Sequence, residues 1–584
     1  MLLFTVDDKP RTATLTRQRS FGQRMIRARA GSSGGDVVVG AYDRVRADFI
    51  WNIPEYYNIG VAVTDKWAAR DPDRVAVIEC DDDRVVRTTF RKLAEQSNQL
   101  ANWLTAQGLR RQDRVAVLAP QRVETAIAHA AIFKAGGISV PMFSLFGLDA
   151  LRHRIGHSGA RFLIADAAGK AKIRSIADKL PGLEYILCMD DLGDSAPSWK
   201  DLPKQSTNFS PIITRADDPA IIIYTSGTTG PPKGALHAHR VLLGHLPGVE
   251  MSHDGFPKPG DCMWTPADWA WIGGLFDVLL PSLHHGVPVV AKRFDKFDAT
   301  AAFWLMETLG VRNVFMPPTA LKFLRSQPVP RDQRNVSLRS IASGGEALGK
   351  ELLSWALEEV GVNINEFYGQ TECNMIVSSC SSWFSSKPGA MGKPVPGHNV
   401  AIIDDDGSLL PPDEEGNIAV RSPDPVMFLG YWNNPKATEE KFIGDWLVTG
   451  DRGIRDEEGF LHFLGRADDV ITSAGYRIGP GEIENCLIRH PAVASAGVVG
   501  VPDAMRTEIV TAFVTLRPGC DGNESLVADL QEHVRSRLGA YQYPRTVHFL
   551  TELPMTVTGK IMRQELRKLA GEHAADSHLP QHPG

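Results

Sequence analysis

The stretch AIIIYTSGTTGPPKGALHAHRVLL, Ala220 to Leu243, opens as a strand and then becomes ten residues of hydroxyls, glycines, prolines and the single cation Lys233. Such a turn lets main-chain N–H groups close around an anion while flanking hydroxyls add donors, which is the chemistry of a polyphosphate cradle. The pattern G-x-x-x-x-G-K-[ST] does not fit. Its second glycine falls on Pro232 when counted from Gly227 and on Ala235 when counted from Gly230. A flexible linker or surface turn of the same composition is the alternative, so the rest of the chain must decide.

The 584 residues are too many for one core and imply at least two domains, and 43% hydrophobic with 23% charged residues is ordinary globular composition. A net charge of −6 gives no footprint for nucleic acid or an anionic membrane. The seven cysteines are scattered without a C-x-x-C pair, as expected for a reducing cytoplasm. The longest apolar candidate, GGLFDVLLPSLHHGVPVVA, is cut by Asp277, Pro281, His284 and His285, so no integral membrane segment is expected.

Short β-branched runs at 114–119, 161–166, 184–189, 219–224, 287–291 and 312–316 alternate with helical patterns. That predicts an α/β fold: a large N-terminal domain with parallel-rich sheets covered by helices. Gly- and Asp-punctuated strands before residue 466 suggest a β-rich subdomain, and the segments after it a small, mobile α+β C-terminal domain. The expected divisions are a disordered extension at 1–45, a main domain at 46–466, the C-terminal domain at 467–570 and a disordered tail at 571–584. Six Arg without an acid at 11–30, followed by GSSGG, leave a transit-type leader as the alternative for the extension.

Five separated segments carry a resemblance: YTSGTTGPPKG (224–234), SGGEAL (343–348), FYGQTE (367–372), TGD through GRADDVITSAGYRIGPGEIE (449–484) and PMTVTGKIMR (554–563). Together they resemble the signature set of the adenylate-forming acyl-CoA synthetases, which join a carboxylic acid to CoA through an acyl-AMP. The resemblance, spanning roughly residues 50–570, leans toward the acetyl-CoA synthetase-like and medium-chain branch. It implies ATP and CoA as co-substrates and Mg²⁺ as the metal. Carboxylates are poor electrophiles, so such a site must hold a polyphosphate and neutralise charge as pyrophosphate leaves.

By that resemblance Thr225, Ser226, Gly227, Thr228, Thr229 and Gly230 form the β,γ-phosphate loop, with Lys233 as a further cation. Thr371 holds the α-phosphate and Glu372 the Mg²⁺, an oxygen ligand suited to a hard, partly hydrated ion. Gly345 and Glu346 form the adenine wall and Tyr368 its stacking face, since glycine admits a flat ring close to the backbone. Asp451 accepts from the ribose hydroxyls, supported by Arg466. Lys560, on a loop or hairpin, bridges the carboxylate and the α-phosphate, with Asp468 as hinge. Gly475 flanks the pantetheine channel and Arg477 contacts the nucleotide end of CoA. The surroundings of Lys560 also resemble a lysine acetylation pattern, implying an acetyltransferase and a deacetylase as partners.

Against the acetate-using branch, Gly273, Gly344 and Gly369 stand where larger side chains are placed, including a Trp at the third. The acyl pocket is therefore expected to be deeper and lined by Trp269, Trp271 and Ile272. Four extra methylenes at ~0.8 kcal/mol each would favour a longer acid by about 3 kcal/mol. Medium-chain, branched or aryl acids are expected ahead of acetate. An enzyme that loads a carrier protein, or a non-catalytic nucleotide-binding relative, are the alternatives.

Overall fold

In the computed structural model the described residues are 40–576, apart from 82–83, 192–196, 226–230, 295–296, 328–335, 347, 468, 470, 474–475, 504–505, 539–541 and 557–558. Two large sheets face each other across a shared helical layer. One runs, in spatial order, Gly430–Tyr431, Lys233–Ala238, Pro219–Thr225, Ile138–Met142, Arg114–Leu118, Phe162–Ala165 and Tyr185–Cys188. Its last five strands are mutually parallel. The other has nine strands, with the six from Ile364–Gln370 through Ser340–Gly344, Asn313–Phe315, Met263–Trp264 and Val289–Ala291 to Val75–Asp81 all parallel. All six β-branched runs read from the sequence contain parallel strands of these sheets.

The largest apolar cluster lies between the sheets, joining Val115, Val117, Ile221 and Ile223 of one to Val77, Val289, Ala342 and Phe367 of the other. The helix Val123–Lys134 is buried from Thr125 onward, with little difference between its faces. A helix apolar all round needs cover on every side, which two flanking sheets supply. An antiparallel five-stranded sheet built on Val400–Ile403, Gly416–Arg421 and Trp446–Arg455 is the β-rich part. A fourth sheet begins at Ile471 and packs with the helices Pro480–Ile488 and Glu524–Arg537 around Val498, Ala512, Leu530 and Val534. Regular structure extends past the limits expected from composition: a helix starts at Ala41 and the last one reaches Asp576.

The elements that carry the site, labelled in chain order, are β1 (Pro219–Thr225), β2 (Lys233–Ala238), α1 (Pro318–Ser326), β3 (Ser340–Gly344), β4 (Ile364–Gln370), β5 (Cys373–Ser378), β6 (Trp446–Arg455) and β7 (Leu461–Arg466).

Candidate active site

β1 and β2 pair antiparallel out to Thr225 and Lys233, so the two strands close the base of the 226–230 loop. Ser226, Gly227, Thr228, Thr229 and Gly230 lie outside the described residues. Lys233 is held at this mouth with its Nζ 5.2 Å from the centre of the Tyr431 ring. The Tyr431 hydroxyl in turn donates to Glu372 Oε1. One tyrosine thus sets Lys233 beside the carboxylate of FYGQTE.

β4 and β5 pair from Phe367↔Ser378 to Gln370↔Cys373, which makes Thr371 and Glu372 the two-residue connection of a hairpin. The Phe428 N–H donates to the Glu372 carbonyl at 2.9 Å and fixes the tip. Beneath it lies the buried His237 of β2, electrostatically coupled to the Thr371 main chain; burial lowers its pKa to about 3 and keeps the imidazole neutral. Glu372 is buried, and Oε2 has no protein hydrogen-bond partner among the described residues. An oxygen donor of this kind fits Mg²⁺.

Asp451 on β6 stands directly opposite Arg466 on β7, with Oδ1 3.8 Å from the arginine Nε. Its Oδ2 accepts from the Tyr368 hydroxyl at 2.5 Å. Burial raises the Asp451 pKa, while Arg466, the Tyr368 hydrogen bond, Lys441 and Lys560 oppose that rise. Behind the pair, Gln370 and Lys441 both donate to the Thr449 carbonyl, at 2.9 and 3.0 Å, and Lys441 also donates to Gln370 Oε1 at 3.0 Å. These bonds tie the end of β4 to β6, so the ribose-type acceptor and the Thr371–Glu372 tip keep one spacing. Lys441, Gln370 and Tyr431 lie in no motif that suggested these roles; their functions appear only when strands distant in sequence pair.

After β3 the chain turns at Gly345, whose φ is +96° and over which a Cβ would meet open space. Both features suit close approach of a flat ring. Glu346 accepts from Thr319 Oγ1 of α1 at 3.3 and 3.4 Å and lies 3.9 Å from Lys322 Nζ.

Lys560 sits on a tight hairpin: Thr556 N–H donates to the Lys560 carbonyl at 2.8 Å and Lys560 N–H to Thr556 Oγ1 at 3.1 Å. The hairpin docks on α1, where a Cβ at Gly559 would lie 3.8 Å from Thr319 Oγ1. Part of the Lys560 side chain stays open to solvent, yet protein around the ammonium lowers its pKa. Glu346 and Asp451 pull it back up and Arg466 pushes it further down. The three segments expected to hold adenine, ribose and α-phosphate therefore converge on one crevice. Arg563 donates to both Glu484 oxygens at 2.7 Å, and Arg567 to Asp469 Oδ1 at 2.9 Å. These bonds join the last helix to the segment beside position 468. Asp468, Gly475 and the Arg477 side chain lie outside the described residues.

The residues expected to form the acyl wall differ in their exposure and surroundings. Trp269 is buried in the core between the sheets, and only Trp271 and Ile272 of the three are partly open. A Cβ at Gly344 would stand 2.7 Å from the Phe367 carbonyl oxygen and 2.8 Å from its ring. One at Gly369 would stand 2.4 Å from Met375 N. In this conformation these two glycines permit close strand packing rather than lengthening a tunnel, and Gly369 lies where the β4–β5 register shifts. Gly273 is flanked by the Phe315 ring, 2.9 Å from its Cβ position, and Phe315 lies 5.3 Å from Phe367 centre to centre. Phe315, which lies in no motif, and Phe367, which opens FYGQTE, stand in the space beside these glycines.

Residues 64–432 match the family described as AMP-binding enzyme, and residues 482–560 match the AMP-binding enzyme C-terminal domain. The chain is 34% identical to the mitochondrial acyl-coenzyme A synthetase ACSM3 of Rattus norvegicus, over 90% of this chain and 93% of that protein. Its fold matches the anthranilate CoA ligase AuaEII in complex with anthranoyl-AMP, with a TM-score of 0.82 and 30% identity, covering 90% of this chain and 99% of the other. It also matches a benzoate CoA ligase from Burkholderia xenovorans LB400, with a TM-score of 0.76 and 26% identity, covering 88% and 100%. The chain belongs to the AMP-binding enzyme family.

Proposed function

We propose that the chain activates an aryl or medium-chain carboxylic acid in preference to acetate, with compact aryl acids ahead of long linear ones. It is an AMP-forming acid:CoA ligase. The acid carboxylate attacks the α-phosphorus of ATP and pyrophosphate leaves; the CoA thiolate then attacks the acyl carbonyl and AMP leaves. Lys560 neutralises charge as it develops on the α-phosphate oxygens, Asp451 and Arg466 position the ribose, and the Gly345 turn leaves room for the base. Glu372 would hold Mg²⁺, which supplies charge neutralisation on the phosphates.

The observation that supports the acid class is the pair Phe315 and Phe367 beside Gly273 and Gly344. Flat apolar walls favour a flat apolar acid, in keeping with the anthranilate and benzoate ligases among the structural relatives. CoA-dependent AMP formation with acetate, butyrate, hexanoate, octanoate and benzoate tests this. Benzoate is expected to exceed acetate in kcat/KM by at least about tenfold, the discrimination that burying a few carbon atoms supplies. Acetate ahead of both benzoate and hexanoate would overturn it. Acetylation of Lys560 belongs to the same proposal: it would remove the cation and stop adenylation while leaving the fold intact.

A further inference from the structure

Asp277 lies on the π-helical segment Gly273–Leu279 with only 2% of its surface exposed. Both of its oxygens accept from one donor, Asn374 Nδ2, at 2.7 and 3.0 Å, and that asparagine is 4% exposed. No other hydrogen-bond partner reaches Asp277 among the described residues. A buried carboxyl with a single donor shared between two oxygens is far from satisfied, and such a group carries a desolvation cost unless something else completes it. Burial correspondingly raises its pKa well above the ordinary carboxylate range, and a neutral carboxylic acid both donates and accepts.

Its position gives that spare capacity a direction. Gly273 is partly open, and its Cβ position is 3.4 Å from Asp277 Oδ2 and 2.9 Å from Phe315 Cε1. A group approaching the open side of Gly273 meets an aromatic edge with a carboxyl oxygen close beside it. Asn374 lies on β5, two residues after the Thr371–Glu372 tip, so the polar pair adjoins the segment expected at the reacting end.

We propose that Asp277 and Asn374 form the polar end of the acyl pocket and bind a hydrogen-bonding substituent, an amino or hydroxyl group, on an aryl carboxylic acid. This rests on the aryl-acid reading above. A site that presents a buried hydrogen-bonding group penalises an analogue unable to complete it, so the substituent determines preference as the ring alone cannot.

The test is kcat/KM of the full chain, with ATP and CoA, for benzoate, the three aminobenzoates, the three hydroxybenzoates and hexanoate. The best substituted benzoate is expected to exceed benzoate by at least about tenfold. In Asp277→Leu that ratio is expected to fall to within about twofold, through loss on the substituted acid rather than on the plain one. Gly273→Ala, which places a methyl over Oδ2, should lower the same ratio and guards against a folding defect in the first variant. Activation of benzoate and hexanoate with no preference for any substituted acid in the wild-type chain overturns the inference and leaves the acid class standing. A preference that persists in both variants also overturns it. Activation of none of these acids overturns both readings.

Discussion

Asp451 must be ionised to accept from two ribose hydroxyls, yet it is buried, and burial raises its pKa. Arg466 and Tyr368 work against that rise. The acid limb of adenylation should therefore lie above the ordinary carboxylate range. Arg466→Ala should move it higher still, because removing a nearby cation favours the protonated acid. Lys560 has the opposite sign: its lowered pKa means that the cation is lost as pH rises through a value below the usual lysine range. Glu346→Gln removes a charge that supports the ammonium, so the alkaline limb should move down. Measuring kcat/KM against pH for these variants beside the wild type cancels the titration of ATP itself. Limbs that stay in place in both variants would separate these residues from the site. Asp451→Asn, which loses charge-assisted bonds worth ~1.5–3 kcal/mol, should lower kcat/KM for ATP by roughly 10- to 100-fold.

At the scale of elements, the hairpin of β4 and β5 is the part most sensitive to volume. The sequence suggests that Gly369→Trp would shorten acid preference by filling a tunnel. With Met375 N at 2.4 Å from the Cβ position, the substitution should instead push β5 away from β4 and displace Thr371 and Glu372. A lower melting temperature and reduced turnover of every acid are expected, with overpacking costing about 1–3 kcal/mol. A stable variant that merely favours acetate would restore the tunnel reading. The parallel strands were legible because a strand covered on both faces reads as a continuous apolar run, as in AIIIY and RVAVL. The motif residues were legible because their chemistry is concentrated in short segments. Lys441, Tyr431, Phe315 and Asn374 were not, since each is a lone residue whose role depends on a strand pairing or a turn formed far away in the chain, and Gln370, though inside FYGQTE, gains its role only from the pairing with Thr449 and Lys441. The surroundings of the glycines were not legible for a related reason: an absent side chain looks like space in the sequence, and only the fold shows Phe315 and Phe367 standing beside Gly273 and Gly344.

At the scale of the whole molecule, Lys560 reaches the crevice because its hairpin docks on α1, placing it among Glu346, Asp451 and Arg466. This is a pose suited to adenylation. Arg563 and Arg567 bind Glu484 and Asp469, so the last helix, which follows the hairpin in the chain, is braced to the segment beside position 468. We propose, as the resemblance implies, that a turn about that point carries Lys560 away from the nucleotide and brings the segment around Gly475 toward it. One rigid docking does not present both surfaces, so the two half-reactions should separate by residue. Gly475→Leu should slow thioester formation and spare acid-dependent pyrophosphate release.

The most direct test is Lys560→Ala with both half-reactions measured on the same folded preparation: acid-dependent pyrophosphate release, and conversion of supplied acyl-AMP to acyl-CoA. Adenylation should slow by at least about 10²- to 10³-fold, because a preorganised cation is removed from developing charge, while acyl-AMP conversion stays close to the wild-type rate. Equal loss of both, with the melting temperature unchanged, would contradict the placement of Lys560 as the adenylating cation and the two-pose account built on it.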